Sequence, residues 1–214
     1  MKYKCIIFDF DGTLADTASG IVATFQETFR RLGMTVPSEA AIRATIGLTL
    51  RDGFNAAMTG LTDEQAELAV TTYRSIFNEI AIPCTTIFPG VLEALGRLRA
   101  EGCMLAAATS RSHRSLETLS TKIGIRDYFE GFFGAEDVEN HKPAPDLVNL
   151  ILDRYGLSPD EALVVGDAHY DMLMGKGAGC KVCGVTWGNQ TREQLQSISP
   201  DHIIDDINEL FSII

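Results

Sequence analysis

Positive charge is scarce in this chain: 18 Lys and Arg stand against 29 Asp and Glu, a formal net charge of -11. So acidic a surface repels polyanions unless its basic residues gather in one patch. The longest basic feature is the pair Arg30-Arg31 on a helical stretch, which reads as a solvated face, so neither nucleic acid nor an anionic membrane is expected as a partner. Long apolar runs are also missing. None approaches membrane-spanning length, and the run before Asp9 is too short for the apolar part of a secretion signal, so a cytoplasmic location is expected. Lysine is absent between Lys4 and Lys122, and histidine is absent before His113. Cysteine occurs as an odd set of five, at 5, 84, 103, 180 and 183, and all but Cys84 lie in or beside apolar runs. These read as reduced core thiols. Cys180 and Cys183 have C-x-x-C spacing, but no second pair or histidine follows at zinc spacing, and their segment reads as a strand. No internal repeat or low-complexity tract occurs.

A chain of 214 residues is long enough to bury roughly 70 % of the surface its unfolded form exposes, as one domain or two small ones. Continuous apolar runs at Cys5 to Phe8, Met104 to Ala108, Ala162 to Val165 and Lys181 to Val185, with a weaker one at Phe132 to Gly134, have the form of strands covered on both faces. Helical periodicity separates them, at Val91 to Ala100 and at Leu147 to Tyr155, and His202 to Ile204 with Ile207 to Phe211 close the chain as a short strand and helix. Alternating strand and helix predict a parallel α/β sheet. Between residues 15 and 82 the alternation stops. One apolar stripe follows Ile21, Phe25, Thr28, Phe29 and Leu32, another follows Leu68, Tyr73, Ile76, Phe77 and Ile80, and Gly33, Pro37, Gly47, Gly60 and Pro83 punctuate the helical stretches. The expected organisation is an α/β core of residues 1–14 and 83–214 with an all-helical cap of residues 15–82 inserted after the first strand.

Asp9 and Asp11 follow the first strand two residues apart, so strand periodicity aims both carboxylates to one side, at the end of the sheet where parallel α/β folds bind ligands. Gly12-Thr13 lets the chain turn away. A second strand ends in Thr109-Ser110-Arg111-Ser112 ahead of a helical segment, and hydroxyls with free amides there suit an anion. Lys142, followed by Pro143 and Pro145, offers a fixed cation, and Gly166-Asp167-Ala-His-Tyr-Asp171 adds two carboxylates four residues apart. Carboxylates converging on one sheet edge repel one another unless a cation sits among them, and an all-oxygen set suits Mg²⁺.

These four pieces, in this order, resemble the haloacid dehalogenase-like superfamily, whose motifs here read Asp9-Phe-Asp11-Gly-Thr13, Thr109, Lys142 and Gly166-Asp167-Ala-His-Tyr-Asp171. The resemblance covers nearly the whole chain and implies a Rossmann-like core with an inserted cap. The cap position and the tail Gly184-Val-Thr-Trp187-Gly188 are similar to the phosphoglycolate-phosphatase-like branch, although Asn189-Gln190 stands where that branch often has an aromatic and a glycine. The resemblance implies a Mg²⁺-dependent phosphatase acting on a small phosphorylated metabolite. In it Asp9 is the nucleophile and forms an aspartyl-phosphate, and Asp11 is the acid and then the base. Asp9, the main-chain carbonyl of Asp11 and Asp167 hold the metal, with Asp171 completing the set by orienting a metal-bound water or Lys142. Lys142, Thr109 and Ser110 bind the phosphoryl group.

Four rival readings share parts of this pattern. A dehalogenase has no use for Asp11, a phosphonate hydrolase needs a cap lysine that is missing, and a binding protein on this scaffold typically loses a carboxylate. A sugar phosphomutase shares core and cap and is the alternative. Its cap histidine comes five residues after the Asp-Thr that follows the first motif, where this chain has Ile21 after Asp16-Thr17, so water is expected as the acceptor. Among the cap cations Arg30, Arg31, Arg43, Arg51 and Arg74, Arg51, just past the Gly47 turn, is expected to face the substrate. The substrate itself, and whether the protein is a monomer or a homodimer, stay open in the sequence.

Overall fold

The computed structural model describes residues 2–214. In chain order its first elements are β1 (Cys5–Phe8), β2 (Ala15–Asp16) and four helices, α1 (Ala18–Arg31), α2 (Glu39–Arg43), α3 (Leu50–Ala57) and α4 (Asp63–Cys84). There follow β3 (Thr86–Ile87), α5 (Val91–Ala100), β4 (Met104–Ala108), α6 (His113–Lys122) and β5 (Gly131–Phe133). The last are α7 (Asp146–Tyr155), β6 (Ala162–Gly166), α8 (His169–Gly177), β7 (Lys181–Val185), α9 (Arg192–Gln196) and β8 (His202–Ile204), and a 3-10 turn over Ile207–Ser212 ends the fold.

Six strands form one parallel sheet in the order β5-β4-β1-β6-β7-β8, the α/β class the alternation predicts. Both faces are covered, so the strand residues divide by period two. Ile6, Phe8, Leu105, Leu163 and Val165 join one core with the inward side of α5. Cys5, Ile7, Ala106 and Val164 join the other with Leu147 and Ile151 of α7 and Met172 of α8. Cys183 belongs to the first core and Cys180 to the second, so the C-x-x-C pair is divided between the two faces. Cys5, Cys103, Cys180 and Cys183 are buried, free thiols, and Cys84 is exposed.

The helices α1–α4 form a layer beyond the sheet, and the chain crosses to it and back through β2 and β3, which pair antiparallel as Ala15↔Ile87 and Asp16↔Thr86. Aromatic packing holds the layer together: the Phe25 and Phe54 rings stack at 4.3 Å, and Tyr73 meets Phe25 edge-on at 5.2 Å. Two expectations need correction here. Leu68 is 53 % exposed, because the buried face of α4 follows Ala66, Ala69, Val70, Tyr73, Ile76, Phe77 and Ala81 at helical spacing, and Leu68 lies off that line. Pro83 does not separate helices but lies in the last turn of α4. The last carbonyls of a helix lack intrahelical partners, and here Lys122 Nζ donates to the carbonyls of Ile82 and Thr85 while Thr85 Oγ1 donates to that of Ala81. Among the described residues no helix is long and apolar enough to cross a membrane.

Candidate active site

Asp9, Thr109 and Asp167 each stand one residue past the end of a strand, on β1, β4 and β6, three neighbours in the middle of the sheet. The strand pairing carries them: the Asp9 amide still donates to the Val165 carbonyl (2.8 Å), and the Thr109 amide to that of Phe133 (3.0 Å). The chain leaves β1 in a tight loop in which the amides of Leu14 and Ala15 both donate to the Phe10 carbonyl. Strand order reverses beside β1, since the chain goes first to β4 on one side and later to β6 on the other. This is the switch point at which parallel sheets open a crevice.

Lys142 lies between two carboxylates. Its Nζ donates to Asp9 Oδ1 at 2.5 Å and to Asp171 Oδ1 at 2.6 Å, and its side chain is 0 % exposed. Asp171 also accepts from the Ala168 amide (3.1 Å), which fixes it in the first turn of α8 and makes it the residue that holds Lys142. Asp167 accepts from Thr13 Oγ1 (3.2 Å), the Asn189 amide (2.6 Å) and Asn189 Nδ2 (2.9 Å). Oxygens of Asp9, Asp167 and Asp171 come within 4.8 Å of one another. Burial pushes the Asp9 carboxyl up, and although Lys142 opposes this, the neighbouring carboxylates of Asp171 and Asp167 add to it. Burial, and next Asp171, push Asp167 up to about 7. With all three ionised, the carboxylates around one ammonium leave two negative charges, the charge that one divalent cation neutralises. The donor set fits Mg²⁺: the ligands are all oxygens, and Mg²⁺ characteristically completes such a set with water and a phosphoryl oxygen.

Asp11 is held apart from that triad. Arg111 donates to both of its oxygens, Nε to Oδ2 at 2.7 Å and Nη2 to Oδ1 at 2.6 Å, and Thr17 Oγ1 donates to Oδ1 at 2.5 Å. Burial tends to lower the Arg111 guanidinium, but the Asp11 charge and hydrogen bonds more than offset this and hold it above its ordinary value. Thr109 is buried, and its Oγ1 accepts from the Arg111 amide (3.3 Å). The Ser110 hydroxyl donates to the Gly47 carbonyl (2.6 Å), joining the sheet edge to the helical layer. Above these residues opens a cleft of about 640 Å³, a size that suits a small metabolite. Arg51 lines it, but its guanidinium is already paired with Asp63 (2.8 Å) and Glu67 (3.1 Å).

Sequence reasoning passed over Arg111, Thr17, Thr13 and Asn189 as site residues. Arg111 stands inside the run of hydroxyls after β4, two residues past Thr109 as Asp11 is two past Asp9. Asn189 stood out only as a departure from a related pattern.

The acids and the lysine meet at the switch point of a parallel α/β core, beneath helices inserted after its first strand, an arrangement that belongs to an enzyme. The chain belongs to the haloacid dehalogenase-like hydrolase family, whose model matches residues 6–185. It is 40% identical over 208 residues to the probable phosphatase IndB of Dickeya dadantii, covering 96% of this chain and 90% of that protein. It is 31% identical over 226 residues to the phosphoglycolate phosphatase of Escherichia coli, again covering 96% and 90%. Among solved structures, the haloacid dehalogenase-like family hydrolase SP0104 from Streptococcus pneumoniae superposes with a TM-score of 0.88 at 28% identity, over 99% of this chain and 98% of that one.

Proposed function

We propose that this protein is a Mg²⁺-dependent phosphatase that hydrolyses a small phosphorylated metabolite, of the phosphoglycolate type, through a covalent phosphoryl group on Asp9. The observation that carries this reading is the meeting of Asp9, Asp167, Asp171 and Lys142 at one sheet edge. The names of the relatives support it. Asp9, Asp167 and Asp171 would hold the metal, together with the main-chain carbonyl of Asp11. When bound, the metal supplies the positive charge that offsets repulsion between an anionic nucleophile and an anionic phosphate.

In the first step an Asp9 oxygen forms a bond to phosphorus while the ester P–O bond breaks, its electron pair goes to the leaving oxygen, and Asp11 gives that oxygen a proton. In the second, water attacks the aspartyl-phosphate, its proton goes back to Asp11, and orthophosphate leaves as Asp9 is regenerated. Two displacements divide a barrier that is very high for uncatalysed phosphate monoesters. Lys142 and Thr109, with the Ser110 amide, stabilise the charge on the phosphoryl oxygens. Ile21 from α1 lines the cleft and offers no polar group to hold a second sugar hydroxyl, which favours water over the mutase alternative.

The test is phosphate release from a panel of phosphorylated metabolites, with Mg²⁺ and with excess chelator, for the native protein and Asp9→Asn. Release that needs Mg²⁺ and disappears in the folded variant is expected. Undiminished release by Asp9→Asn, or full release in chelator, overturns the reading.

A further inference from the structure

The cleft above Asp9 and Asp11 has two unlike walls. On the sheet side its lining is polar, with Thr109, Ser110, Arg111 and Ser112 following β4. On the side of the helical layer run two apolar stripes. Ile21 and Phe25 lie four residues apart on α1, and Val70, Tyr73 and Phe77 lie three and four apart on α4, so each set shares one helix face. All five line the cleft. Aromatic contacts join the stripes into one surface: the Phe25 and Tyr73 ring centroids are 5.2 Å apart, and those of Tyr73 and Phe77 are 5.6 Å apart.

Several polar side chains that the helical layer turns to the cleft are already committed to neighbours. Arg51 pairs with Asp63 and Glu67, Thr49 Oγ1 donates to Asp52 Oδ2 (2.6 Å), and Thr45 Oγ1 donates to the Ile42 carbonyl (2.8 Å). A substrate group seeking hydrogen bonds from these must displace an existing partner, whereas apolar surface is released from water without such competition. Arg74 and Asn78 also line the cleft but are exposed. Burial pushes the Tyr73 phenol up, so its hydroxyl stays neutral and adds no charge to the wall. The wall also begins beside the chemistry. Arg111, which donates to both oxygens of Asp11, has its guanidinium carbon 5.2 Å from the Phe77 ring centroid.

Resting on the phosphatase reading above, we propose that the wall of Ile21, Phe25, Val70, Tyr73 and Phe77 is the subsite for the leaving half of the substrate, and that it takes an alcohol or hydroxy acid carrying an apolar body about the size of one ring. The volume agrees. A cleft of about 640 Å³ lies in the range that houses drug-sized ligands, so a two-carbon acid alone would leave part of the wall against water. An apolar body attached near the ester oxygen covers that surface, and the gain grows with the area it removes from water. The flat rings of Tyr73 and Phe77 suit an aromatic or other planar group edge-on or offset-stacked.

The experiment compares kcat/KM for benzyl phosphate and ethyl phosphate in Mg²⁺, with 2-phosphoglycolate run beside them. The first two are esters of primary alcohols that differ in a phenyl ring against a methyl group. The proteins are the native chain, Val70→Thr, Ile21→Thr/Val70→Thr and Tyr73→Phe. The native protein is expected to favour benzyl over ethyl phosphate by about 10²-fold, since one methylene in an apolar pocket is already worth about tenfold or more. Hydroxyls placed in the wall by Ile21→Thr/Val70→Thr should lower that ratio by about 10-fold. If melts show the double variant unfolded, the nearly isosteric Val70→Thr is read in its place and should lower the ratio in the same direction. Tyr73→Phe keeps the apolar surface and should keep the ratio. A native ratio near one, or a ratio unmoved by threonine in a folded variant, overturns the proposal. So does a ratio lost in Tyr73→Phe, which would make the preference a hydrogen bond. Hydrolysis of 2-phosphoglycolate with benzyl phosphate no better than ethyl phosphate overturns it while the phosphatase reading stands. If none of the three is hydrolysed, the phosphatase reading falls, and calorimetric titration of native and Val70→Thr proteins with benzyl and ethyl phosphate decides the subsite. Tighter binding of benzyl phosphate that weakens in Val70→Thr supports it, and equal affinities overturn it.

Discussion

Asn189 grips Asp167 twice, its backbone amide at 2.6 Å and its side-chain Nδ2 at 2.9 Å from the same Oδ2. Outer partners of this kind set the orientation of a metal ligand, and their loss typically costs 10- to 100-fold in affinity. Asn189→Ala removes one of the two bonds and keeps the backbone one, so Mg²⁺ affinity is expected to fall by about 10-fold with the fold intact. Calorimetric titration with Mg²⁺ measures this, and an unchanged affinity would remove Asn189 from the site.

Among the described residues Lys142 is the one cation touching the triad, and its side chain is fully buried against Asp9 and Asp171. Lys142→Met keeps the volume but leaves two buried carboxylates without their partner. Breaking a buried pair from one side costs about 3–5 kcal/mol, so urea denaturation in chelator should show a loss of about that size, and phosphate release should fall with it. Mg²⁺ should restore part of the stability. A variant as stable as the native protein in chelator would mean that the carboxylates do not carry the charge assigned to them.

The strands were readable because a parallel strand covered on both faces must be apolar at every position. β1, β4 and β7 therefore have the bounds their apolar runs mark, and β6 is longer by Gly166. The acids were readable because each follows such a run. What stayed hidden depends on distance through the chain. Arg111 and Asp11 are 100 positions apart, and no local pattern shows that they meet. The same holds for the pairing of Arg51, which lines the cleft, with Asp63 and Glu67. Leu68 was misplaced for a different reason: a long helix offers several apolar lines, and only the packing of α1 against α4 picks one.

The raised Asp167 carboxyl gives stability a pH dependence of definite sign. The group titrates near its ordinary 3.8 when unfolded and at about 7 when folded without metal. Below the lower value it is neutral in both states and its burial costs nothing. As pH rises through about 7 the folded state must keep a buried charge, so this contribution to stability is lost. In chelator the melting temperature should therefore fall from about pH 5 to about pH 8, and Mg²⁺ should stabilise more at the higher pH, where no proton competes for the oxygens. Thermal melts with and without Mg²⁺ at both pH values measure it. Metal stabilisation that is larger at the lower pH would contradict the assignment of Asp167 to the cation site.

Gly12 makes the turn out of β1 at φ +86, and a Cβ there would run into Asp167 Oδ2 and Asn189 Nδ2, with Asp167 Cγ at 2.7 Å. Two costs are therefore combined in Gly12→Ala. One is the left-handed backbone, about 1–2 kcal/mol for any side chain. The other is displacement of Asp167 from the position Asn189 gives it. Gly60 separates them, because it has nearly the same φ, +85, with nothing within 4 Å of an added Cβ. Gly60→Ala should lose only the backbone part of stability and keep the native affinity for Mg²⁺. Gly12→Ala should lose more stability than Gly60→Ala, and its Mg²⁺ affinity should fall by at least the roughly 10-fold expected when an outer partner is lost, since here the carboxylate itself must move. Melts and calorimetric Mg²⁺ titration of the two variants side by side decide the matter. If Gly12→Ala matches Gly60→Ala in stability and keeps native metal affinity, the loop has room that its geometry denies, and Asp167 is not fixed by the close approach of the β1 turn.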